Sequence, residues 1–422
     1  MTAPGTDGTN GTRGASPTGD FGEGVAERLR QAAGPGGFLR FDRFMEIALY
    51  EAGVGFYTRP FASFGPGGAF YTAPRLTPLF GRALAAWVAG EHHRLGAPRR
   101  FRLVELGAGD GRLAVDLLRA LRKLIPDPAP IDYVLVERSG PLRDRALEAL
   151  ADVAEEGRVE VRVSDDVGSD GPFTGVVLAH EFLDALPFRR LVRRGEAWRE
   201  LGVRPEGDRF VWAEGEPVGP TASGARPSAE EGQRIEETAC AEAAVREVAD
   251  HLVEGSLLVI DYGMNEDELV RAHPDGTLAA VRDHRALADP LDRPGSADLS
   301  AFLNWTRLRS AAGHAGLRER SVRPLREALV AWGIERLLNA AEREAPDEEA
   351  RVRLRLSVKS LLLGFERFAA LEWTAGPERD PPTAPSEGAD AGAPGPVRAG
   401  RGSRRARRSA RPRGGGPTPP AG

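Results

Sequence analysis

Three closely spaced glycines follow an apolar run and an acid in the segment Leu103–Gly111, which has the sequence LVELGAGDG. Glycines in such a turn let the backbone approach a ligand closely. The turn that binds nicotinamide dinucleotides has the spacing G-x-G-x-x-G, but its third glycine would fall on Arg112 here. The observed spacing, G-x-G-x-G, favours S-adenosylmethionine, which has no phosphate to place at a helix N-terminus. We therefore predict a cofactor loop that contains Gly107, Gly109 and Gly111.

Acidic residues near the ends of the predicted strands supply the polar contacts that this cofactor needs. Glu105, just before the glycines, can bind the ammonium group or order a water there. Glu137 ends the apolar run YVLVE and can accept hydrogen bonds from both ribose hydroxyls. Asp165 and Asp166 follow the third strand, where an acid can bind the adenine amino group, although an exposed loop pair is an equally good interpretation. We also expect the loop that begins at Tyr71 to close over the cofactor, with core packing of Tyr71 as the alternative.

The candidate catalytic residues follow the fourth predicted strand, in the segment Val176–Phe188 with the sequence VVLAHEFLDALPF. Glu181 and Asp184 come there at the carboxyl edge of the sheet, where ligands of open α/β sheets bind. A carboxylate can accept two N–H groups of a guanidinium, so we predict that Glu181 orients an arginine acceptor. Asp184 and His284 are expected to shape or polarise the site, with a turn cap and a strand-end hydrogen bond as the respective alternatives. Methyl transfer is an in-line displacement, and we predict no metal ion.

Alternating apolar strands and amphipathic helices surround these residues. Short β-rich runs separated by helices specify a parallel sheet that is covered by helices on both faces. We therefore predict an α/β fold with a doubly wound, Rossmann-like core of the class I methyltransferase type, an antiparallel β insertion and helical additions at both ends. The predicted segments are an N-terminal helical part at 25–100, the core at 101–325 with its insertion at about 189–230, and C-terminal helices at 326–373.

The composition favours a globular enzyme. The 422 residues have a formal net charge of -5 and one cysteine, Cys240, which excludes an intramolecular disulfide and favours a reducing compartment. No apolar run approaches the roughly 20 residues needed to span a bilayer, and the N-terminus lacks the pattern of a signal peptide. We accordingly predict a cytoplasmic protein without membrane contact, and a homodimer as the default oligomer.

Both termini are rich in glycine and proline, and we predict disorder at 1–24 and 374–422. The last stretch of the chain is also strongly basic. A tail of this kind can bind nucleic acid or another anionic surface electrostatically, but a solubilising tail is the favoured interpretation. Its arginines are Arg398, Arg401, Arg404, Arg405, Arg407, Arg408, Arg411 and Arg413.

Several motifs resemble those of the MidA family of S-adenosylmethionine-dependent methyltransferases, in the same order from about Phe38 to Leu371. They are FYTAP, ELGAGDG, AHEFLDALP, LLVIDYG and GTLAAVRDHRALADPLDRPGSADLS. The family includes a mitochondrial complex I assembly factor that dimethylates an arginine of a complex I subunit, so the resemblance implies a protein-arginine methyltransferase. It also implies that the three glycines and Glu137 bind the cofactor, and that Glu181 and Asp184 form the floor of the transfer site.

Two other classes of function fit the sequence. One is an assembly or binding factor with a vestigial methyltransferase fold, which an acidic body and a basic tail would permit. The other is a small-molecule methyltransferase, because an acidic pocket attracts amines equally well. Transfer of a labelled methyl group to protein or to small molecules distinguishes these classes.

Overall fold

The computed structural model describes residues 19–59, 72–125, 131–157, 159–219 and 230–378. Its strands are β1 (Arg102–Leu106), β2 (Ile131–Val136), β3 (Val159–Ser164), β4 (Phe173–His180), β5 (Arg189–Arg194), β6 (Ala197–Glu206), β7 (Arg209–Val218), β8 (Arg234–Glu237), β9 (Leu252–Met264), β10 (Ala279–Arg282), β11 (Arg285–Ala286), β12 (Asp298–Ser300), β13 (Leu303–Asn304), β14 (Arg318–Pro324) and β15 (Phe368–Ala375). Its helices are α1 (Gly19–Ala33), α2 (Phe41–Tyr50), α3 (Ala73–Leu76), α4 (Pro78–Arg94), α5 (Arg112–Leu124), α6 (Gly140–Glu155), α7 (Ala239–His251), α8 (Glu266–Ala272), α9 (Trp305–His314), α10 (Leu325–Ala331), α11 (Ile334–Glu344) and α12 (Glu348–Gly364).

The largest sheet of the described ranges has the strand order β14-β15-β9-β4-β1-β2-β3, and β13 also pairs with β9. The strands β1 to β4 and β9 run parallel. Among the described strands of this sheet, only β15 is antiparallel to two neighbours, β9 and β14. The order changes direction between β1 and β4, and open α/β sheets bind ligands at such a point.

Helices cover both faces of the central sheet. On one face, α4, α5 and α6 share a hydrophobic core with α10, α11 and α12. On the other face, α7 and α9 pack against the sheet. Apolar residues at helical spacing explain this packing, and in α5 the buried positions are Leu113, Ala114, Leu117, Leu118 and Leu121. The predicted doubly wound α/β core is therefore confirmed.

The predicted antiparallel insertion forms a sheet of its own, in the order β7-β6-β5-β8. We predicted that the insertion ends at about residue 230, but β8 lies beyond that point and still belongs to this sheet. It pairs with β5, which is far from it in the sequence. Helices α1 and α2 pack against this sheet in a third core, where the ring of Phe44 contacts that of Phe210. α1 begins at Gly19, so residues 19–24 are helical although we predicted disorder for them.

The C-terminal part differs from the prediction of helices at 326–373. α12 ends at Gly364, and β15 follows it as a strand between β9 and β14. Six of the eight residues of β15 are buried, and a short, mostly apolar run fits a buried strand as well as a buried helix. The preceding helical stretch is also divided at Gly333, whose φ of 87° is left-handed.

Candidate active site

A cavity of about 700 Å³ lies at the carboxyl ends of the parallel strands. This is the edge where open α/β sheets bind ligands, and the volume is in the range of small-molecule sites. Many of the described residues that line the cavity come from the carboxyl ends of β1, β2, β4 and β9 and from the loops after β1 to β4. Others come from α2 and the turn after it, from residues 72–75 and from the segment that contains β10 to β12. The predicted site residues among them are Glu105, Gly107, Gly109, Glu137, Asp165, Glu181, Asp184 and His284.

The three predicted glycines have different roles in the loop between β1 and α5. All are left-handed, with φ of 66° at Gly107, 58° at Gly109 and 76° at Gly111, which glycine adopts without strain. A Cβ atom at Gly111 would lie 2.9 Å from Cα of Ala146, and one at Gly107 would lie 2.6 Å from the Phe182 ring. A Cβ atom at Gly109 would meet no atom of the described residues within 4 Å. Gly109 therefore exposes backbone to the cavity, whereas Gly111 lets the loop pack on α6.

Glu137 holds the glycine loop from the end of β2. Its Oε2 accepts a hydrogen bond from Gly109 N at 3.0 Å, and its Oε1 accepts one from Ser139 N at 2.8 Å. Burial raises the pKa of this carboxyl, and the backbone hydrogen bonds oppose the shift. Each carboxylate oxygen has a second lone pair, so Glu137 can still accept hydrogen bonds from a ligand.

Glu105 is almost fully buried, with 3% of its surface exposed. Tyr133 donates a hydrogen bond from its Oη to Oε2 of Glu105 at 2.7 Å. Burial raises the pKa of Glu105 to about 7, Tyr133 lowers it, and the charges of Glu137 and Asp110 raise it further. A positive charge beside Glu105 would favour its ionised form, so the residue suits the ammonium group predicted for it.

The structure separates the two neighbouring aspartates after β3. Asp165 lines the cavity, and its exposed carboxylate accepts a hydrogen bond from Nη1 of Arg143 at 3.0 Å. Asp166 is not among the lining residues, and its Oδ1 accepts hydrogen bonds from Gly168 N at 2.9 Å and Ser169 Oγ at 2.7 Å. The geometry does not support Asp166 as a cofactor contact, because its carboxylate caps a turn in its own loop.

The described part of the loop that we predicted to close over the cofactor, which runs from Tyr71 to Pro74, contributes one wall of the cavity. Tyr71 itself lies outside the described residues. Thr72, Pro74 and Arg75 line the cavity, and Nη2 of Arg75 forms an ion pair with Oδ2 of Asp110 at 2.6 Å. This ion pair joins α3 to the glycine loop.

Among the described residues, four carboxyl groups form an acid cluster, two of them buried and two half-buried: Glu181, Asp184, Asp261 and Asp298. All of them except Asp261 line the cavity. Burial is the largest cause that raises the pKa of each, and the charges of neighbouring members add to the shift at Glu181, Asp184 and Asp261. The pKa rises to about 7 at Asp184 and to about 6 at Asp298. Within the described ranges, no member forms an ion pair with an arginine or a lysine.

Glu181 follows β4 directly and has a left-handed φ of 48°, which is uncommon for a residue with a side chain. A backbone hydrogen bond from Ala73 lowers the pKa of its carboxyl, against the larger effect of burial. Nε2 of His180 lies 3.3 Å from Oε1 of Glu181. Burial lowers the pKa of His180 to about 3, so the imidazole is neutral at pH 7 and provides no positive charge for the acids.

Asp184 lies three residues after Glu181 in the same loop and forms a hydrogen bond with Tyr262. The Tyr262 hydroxyl hydrogen-bonds to the Asp184 carboxylate, which lowers the pKa against the effect of burial. The same Oη lies 2.7 Å from Oγ of Ser300, which can donate to it. The three groups form a hydrogen-bonded chain at the cavity wall.

Sequence reasoning missed Asp261, which is fully buried near the end of β9, three residues before Met264. Its Oδ2 accepts hydrogen bonds from Leu183 N at 3.2 Å and Asp184 N at 3.3 Å, and its Oδ1 accepts one from Tyr262 N at 2.9 Å. Asp261 thereby fixes the loop after β4. A signal was present, because an acid ends the apolar run LLVID just as Glu137 ends YVLVE.

Asp298 was also missed, and its local sequence gives little signal. It begins the three-residue strand β12, which pairs with β10 in a small sheet of order β11-β10-β12. Its Oδ1 accepts a hydrogen bond from Oη of Tyr57 at 2.5 Å. The contact depends on two segments 241 positions apart, so no local pattern predicts it.

His284 borders the cavity from the turn between β10 and β11. It is exposed and has a left-handed φ of 60°. This placement is compatible with a residue that shapes the site, and the role of His284 stays a prediction.

Two further observations on the described ranges bear on metals and membranes. No three histidine, cysteine or acidic side chains there are grouped so that they could hold a metal ion. No described helix combines the length and the apolar character required to cross a bilayer.

Comparisons with known proteins agree with this geometry. A family model described as "Putative S-adenosyl-L-methionine-dependent methyltransferase" matches residues 83–322. A crystal structure from Burkholderia thailandensis, bound to S-adenosyl-homocysteine, is similar over 84% of this chain and 93% of that chain, with 31% identity and a TM-score of 0.75. "Protein arginine methyltransferase NDUFAF7, mitochondrial" of Danio rerio is 29% identical over 67% of this chain and 69% of its own length. The Drosophila melanogaster homologue is 30% identical over 72% of this chain and 73% of its own length.

The names of these relatives correct one prediction. Both curated relatives are named as mitochondrial proteins, whereas the composition led us to predict a cytoplasmic one. That prediction is wrong by this comparison. Its basis included a single cysteine, which indicates a reducing environment but does not distinguish one reducing compartment from another.

The family model covers more than half of the chain, and the solved relative holds the product that S-adenosylmethionine becomes after methyl transfer. The cofactor prediction is therefore confirmed, and the nicotinamide alternative is not supported. The chain belongs to the MidA-like family of S-adenosyl-L-methionine-dependent methyltransferases.

Proposed function

We propose that this methyltransferase acts on an arginine side chain of a protein. Curated relatives are named as protein arginine methyltransferases. The proposal depends mainly on the acid cluster, which has no cationic partner among the described residues.

An arginine side chain would supply the charge and the donors that the acid cluster requires. Carboxylates are costly to bury without a partner, and the raised pKa values reflect that cost. Oε1 of Glu181 and Oδ1 of Asp184 are buried, and neither has a hydrogen-bond partner among the described residues. A guanidinium is always charged at neutral pH and offers five N–H donors in one plane. Bound at these two residues, it would both balance the charge and satisfy the free oxygens.

The opposite part of the cavity fits S-adenosylmethionine. The open backbone at Gly109 leaves room for the ligand, and the free lone pairs of Glu137 suit its ribose hydroxyls. Glu105 suits the ammonium group, and Asp165 is the acid available to the adenine amino group. When bound there, the cofactor supplies a methyl group made electrophilic by its positively charged sulfur.

The residues of the chain orient the acceptor and take up its proton. Glu181 can bind two N–H groups of the guanidinium and so direct the third nitrogen towards the cofactor. An arginine nitrogen that gains a methyl group must lose a proton. The pKa of Asp184, about 7, suits a group that accepts this proton near neutral pH. The hydrogen bond from Tyr262 stabilises the ionised form of Asp184 beforehand.

We expect Glu181→Gln to bind S-adenosylmethionine normally and to lose about 100-fold or more of its methyl-transfer rate, because an amide neither attracts nor orients a guanidinium as a carboxylate does. Calorimetry measures cofactor affinity, and tritium from labelled cofactor measures transfer into the protein and small-molecule fractions of a cell lysate. Asp166→Asn changes an acid outside the cavity and is the matched control. Unchanged transfer by Glu181→Gln, or label confined to small molecules, would contradict the proposal.

A further inference from the structure

A second and larger hollow adjoins the cofactor cavity. It has a volume of about 1370 Å³ and lies between α2, the strands β6 and β7 of the insertion, and α7. Three residues, Arg138, Phe182 and Leu186, line both spaces. Phe182 and Leu186 belong to the same loop as Glu181 and Asp184. This hollow, which we call the outer groove, therefore meets the cavity beside the acid cluster.

The lining of the outer groove resembles a protein interface more than a small-ligand site. Its volume exceeds the roughly 300–1,000 Å³ of typical small-molecule pockets. Apolar residues such as Phe38, Leu39 and Pro187 line it together with charged side chains. The acidic and the basic side chains among the described lining residues are nearly equal in number. Interfaces between proteins have this mixture of an apolar centre and a polar rim.

The charges of the outer groove are largely neutralised within its wall. Nη1 of Arg138 donates to Oε2 of Glu46 at 3.1 Å, and Nε of Arg189 donates to Oε2 of Glu200 at 3.1 Å. The described residues of the groove therefore have no marked excess of positive charge, which nucleic-acid binding requires.

Glycines of the insertion fix one apolar residue in the wall of the groove. A Cβ atom added to Gly215 would lie 2.6 Å from Cζ of Phe38, and one added to Gly202 would lie 2.7 Å from the same atom. The absence of side chains at these positions lets the Phe38 ring lie directly on β6 and β7. The wall is thus a formed surface, held by close packing.

We propose that the outer groove holds the polypeptide segment that flanks the acceptor arginine, in an extended conformation. The proposal rests on the proposed arginine function. When the guanidinium of an acceptor lies at Glu181 and Asp184, the main chain of that acceptor must leave the cavity, and the outer groove adjoins it at Phe182. A free amine or guanidine has no main chain to place there. The substrate is accordingly an exposed segment of a protein.

The substitution Ala243→Trp tests the groove without a change in the cavity. Ala243 is exposed on α7 and lines the outer groove only, so a tryptophan there would occupy space needed by the peptide. Arg246→Trp is the matched control, because Arg246 is exposed on the same helix and does not line the groove. The probes are a library of short synthetic peptides with one central arginine, and arginine amide as an acceptor without flanking residues.

We expect Ala243→Trp to raise KM for the best peptides about tenfold or more, with arginine-amide kinetics and cofactor affinity unchanged within about twofold. Arg246→Trp should match the wild type with every probe. Equal peptide KM values for Ala243→Trp and wild type would contradict the proposal that the outer groove binds the flanking peptide, and would leave the proposed arginine function intact. Equal kcat/KM values for arginine amide and the best peptide would also contradict the proposal that the groove binds the flanking peptide. If the wild type binds the cofactor and methylates neither probe, both proposals fail.

Discussion

Residues of the same type and close in sequence have different roles in the site, because each one contacts different neighbours. Gly109 borders the cavity and Gly111 contacts α6, although the sequence pattern treats both as parts of one loop. Asp165 lines the cavity, whereas its neighbour Asp166 caps a turn. The pattern predicted the turn correctly because glycine is required for its backbone. It could not predict which side of the turn faces a ligand, since that depends on the packing of α6 and β3.

The two glycines should respond differently to the same substitution. Gly109→Ala and Gly111→Ala both impose about 1–2 kcal/mol of left-handed strain. The new methyl group of Gly111→Ala would also press on the Ala146 backbone, so its melting temperature should fall further. The methyl group of Gly109→Ala would project into the cavity and should weaken S-adenosylmethionine binding about tenfold or more. Thermal unfolding and calorimetry test this, and full cofactor affinity in Gly109→Ala would contradict our assignment.

At the level of elements, the pairing of β4 with β9 brings the acid cluster together. The two strands are parallel neighbours, with His180 opposite Ile260, so the acids that follow these two residues in sequence, Glu181 and Asp261, meet at one edge. The alternation of strands and helices predicted this edge and placed Glu181 on it. Asp298 enters from β12, which has only three residues and pairs within a small separate sheet. An element that short has too little periodicity to be predicted from sequence.

Asp261 should be a positioning residue that stabilises the loop after β4. Asp261→Ala would leave the amides of Leu183 and Asp184 buried without their acceptor, and we expect the free energy of unfolding to fall by about 2–4 kcal/mol. Chemical denaturation measures the change. Asp166→Ala removes an exposed acid and should cost less than about 1 kcal/mol. A similar small effect for Asp261→Ala would show that the loop is held by other contacts.

At the scale of the whole molecule, the acid cluster makes stability depend on pH. The pKa of Asp298 is about 6 in the folded chain and about 4 in an unfolded one, so the folded state binds more protons between these values. Its contribution to stability is therefore fully present below about pH 4 and is lost as the pH rises through about 6. A cationic ligand at the cluster would oppose this loss, because it favours the ionised carboxylates.

Asp298→Asn should remove this dependence, because an amide does not titrate and can still accept the hydrogen bond from Tyr57. Relative to the wild type, its free energy of unfolding should rise by about 2–3 kcal/mol between pH 4 and pH 8. Denaturation curves of both proteins across this range test the expectation. Parallel curves at every pH would indicate that Asp298 does not titrate in the folded protein.

The order of strands and helices in the core followed from local patterns, but contacts between distant segments did not. β15 was predicted as helix because a short, mostly apolar run has no clear period, and only its place between β9 and β14 makes it a strand. β8 was missed because its partner β5 lies about forty residues earlier. The outer groove is formed by α2, β6, β7 and α7, and no motif of any one segment indicates it.

Amino-acid analysis of the methylated product tests the central claim most directly. Protein from a lysate incubated with the enzyme and methyl-labelled S-adenosylmethionine would be hydrolysed completely, and the labelled amino acids would be identified by mass spectrometry. We predict methylarginines as the main labelled species, present with the wild type and with Asp166→Asn and absent with Glu181→Gln. Label on another amino acid, or methylarginine formed equally well by Glu181→Gln, would contradict the account of the acid cluster as the guanidinium site.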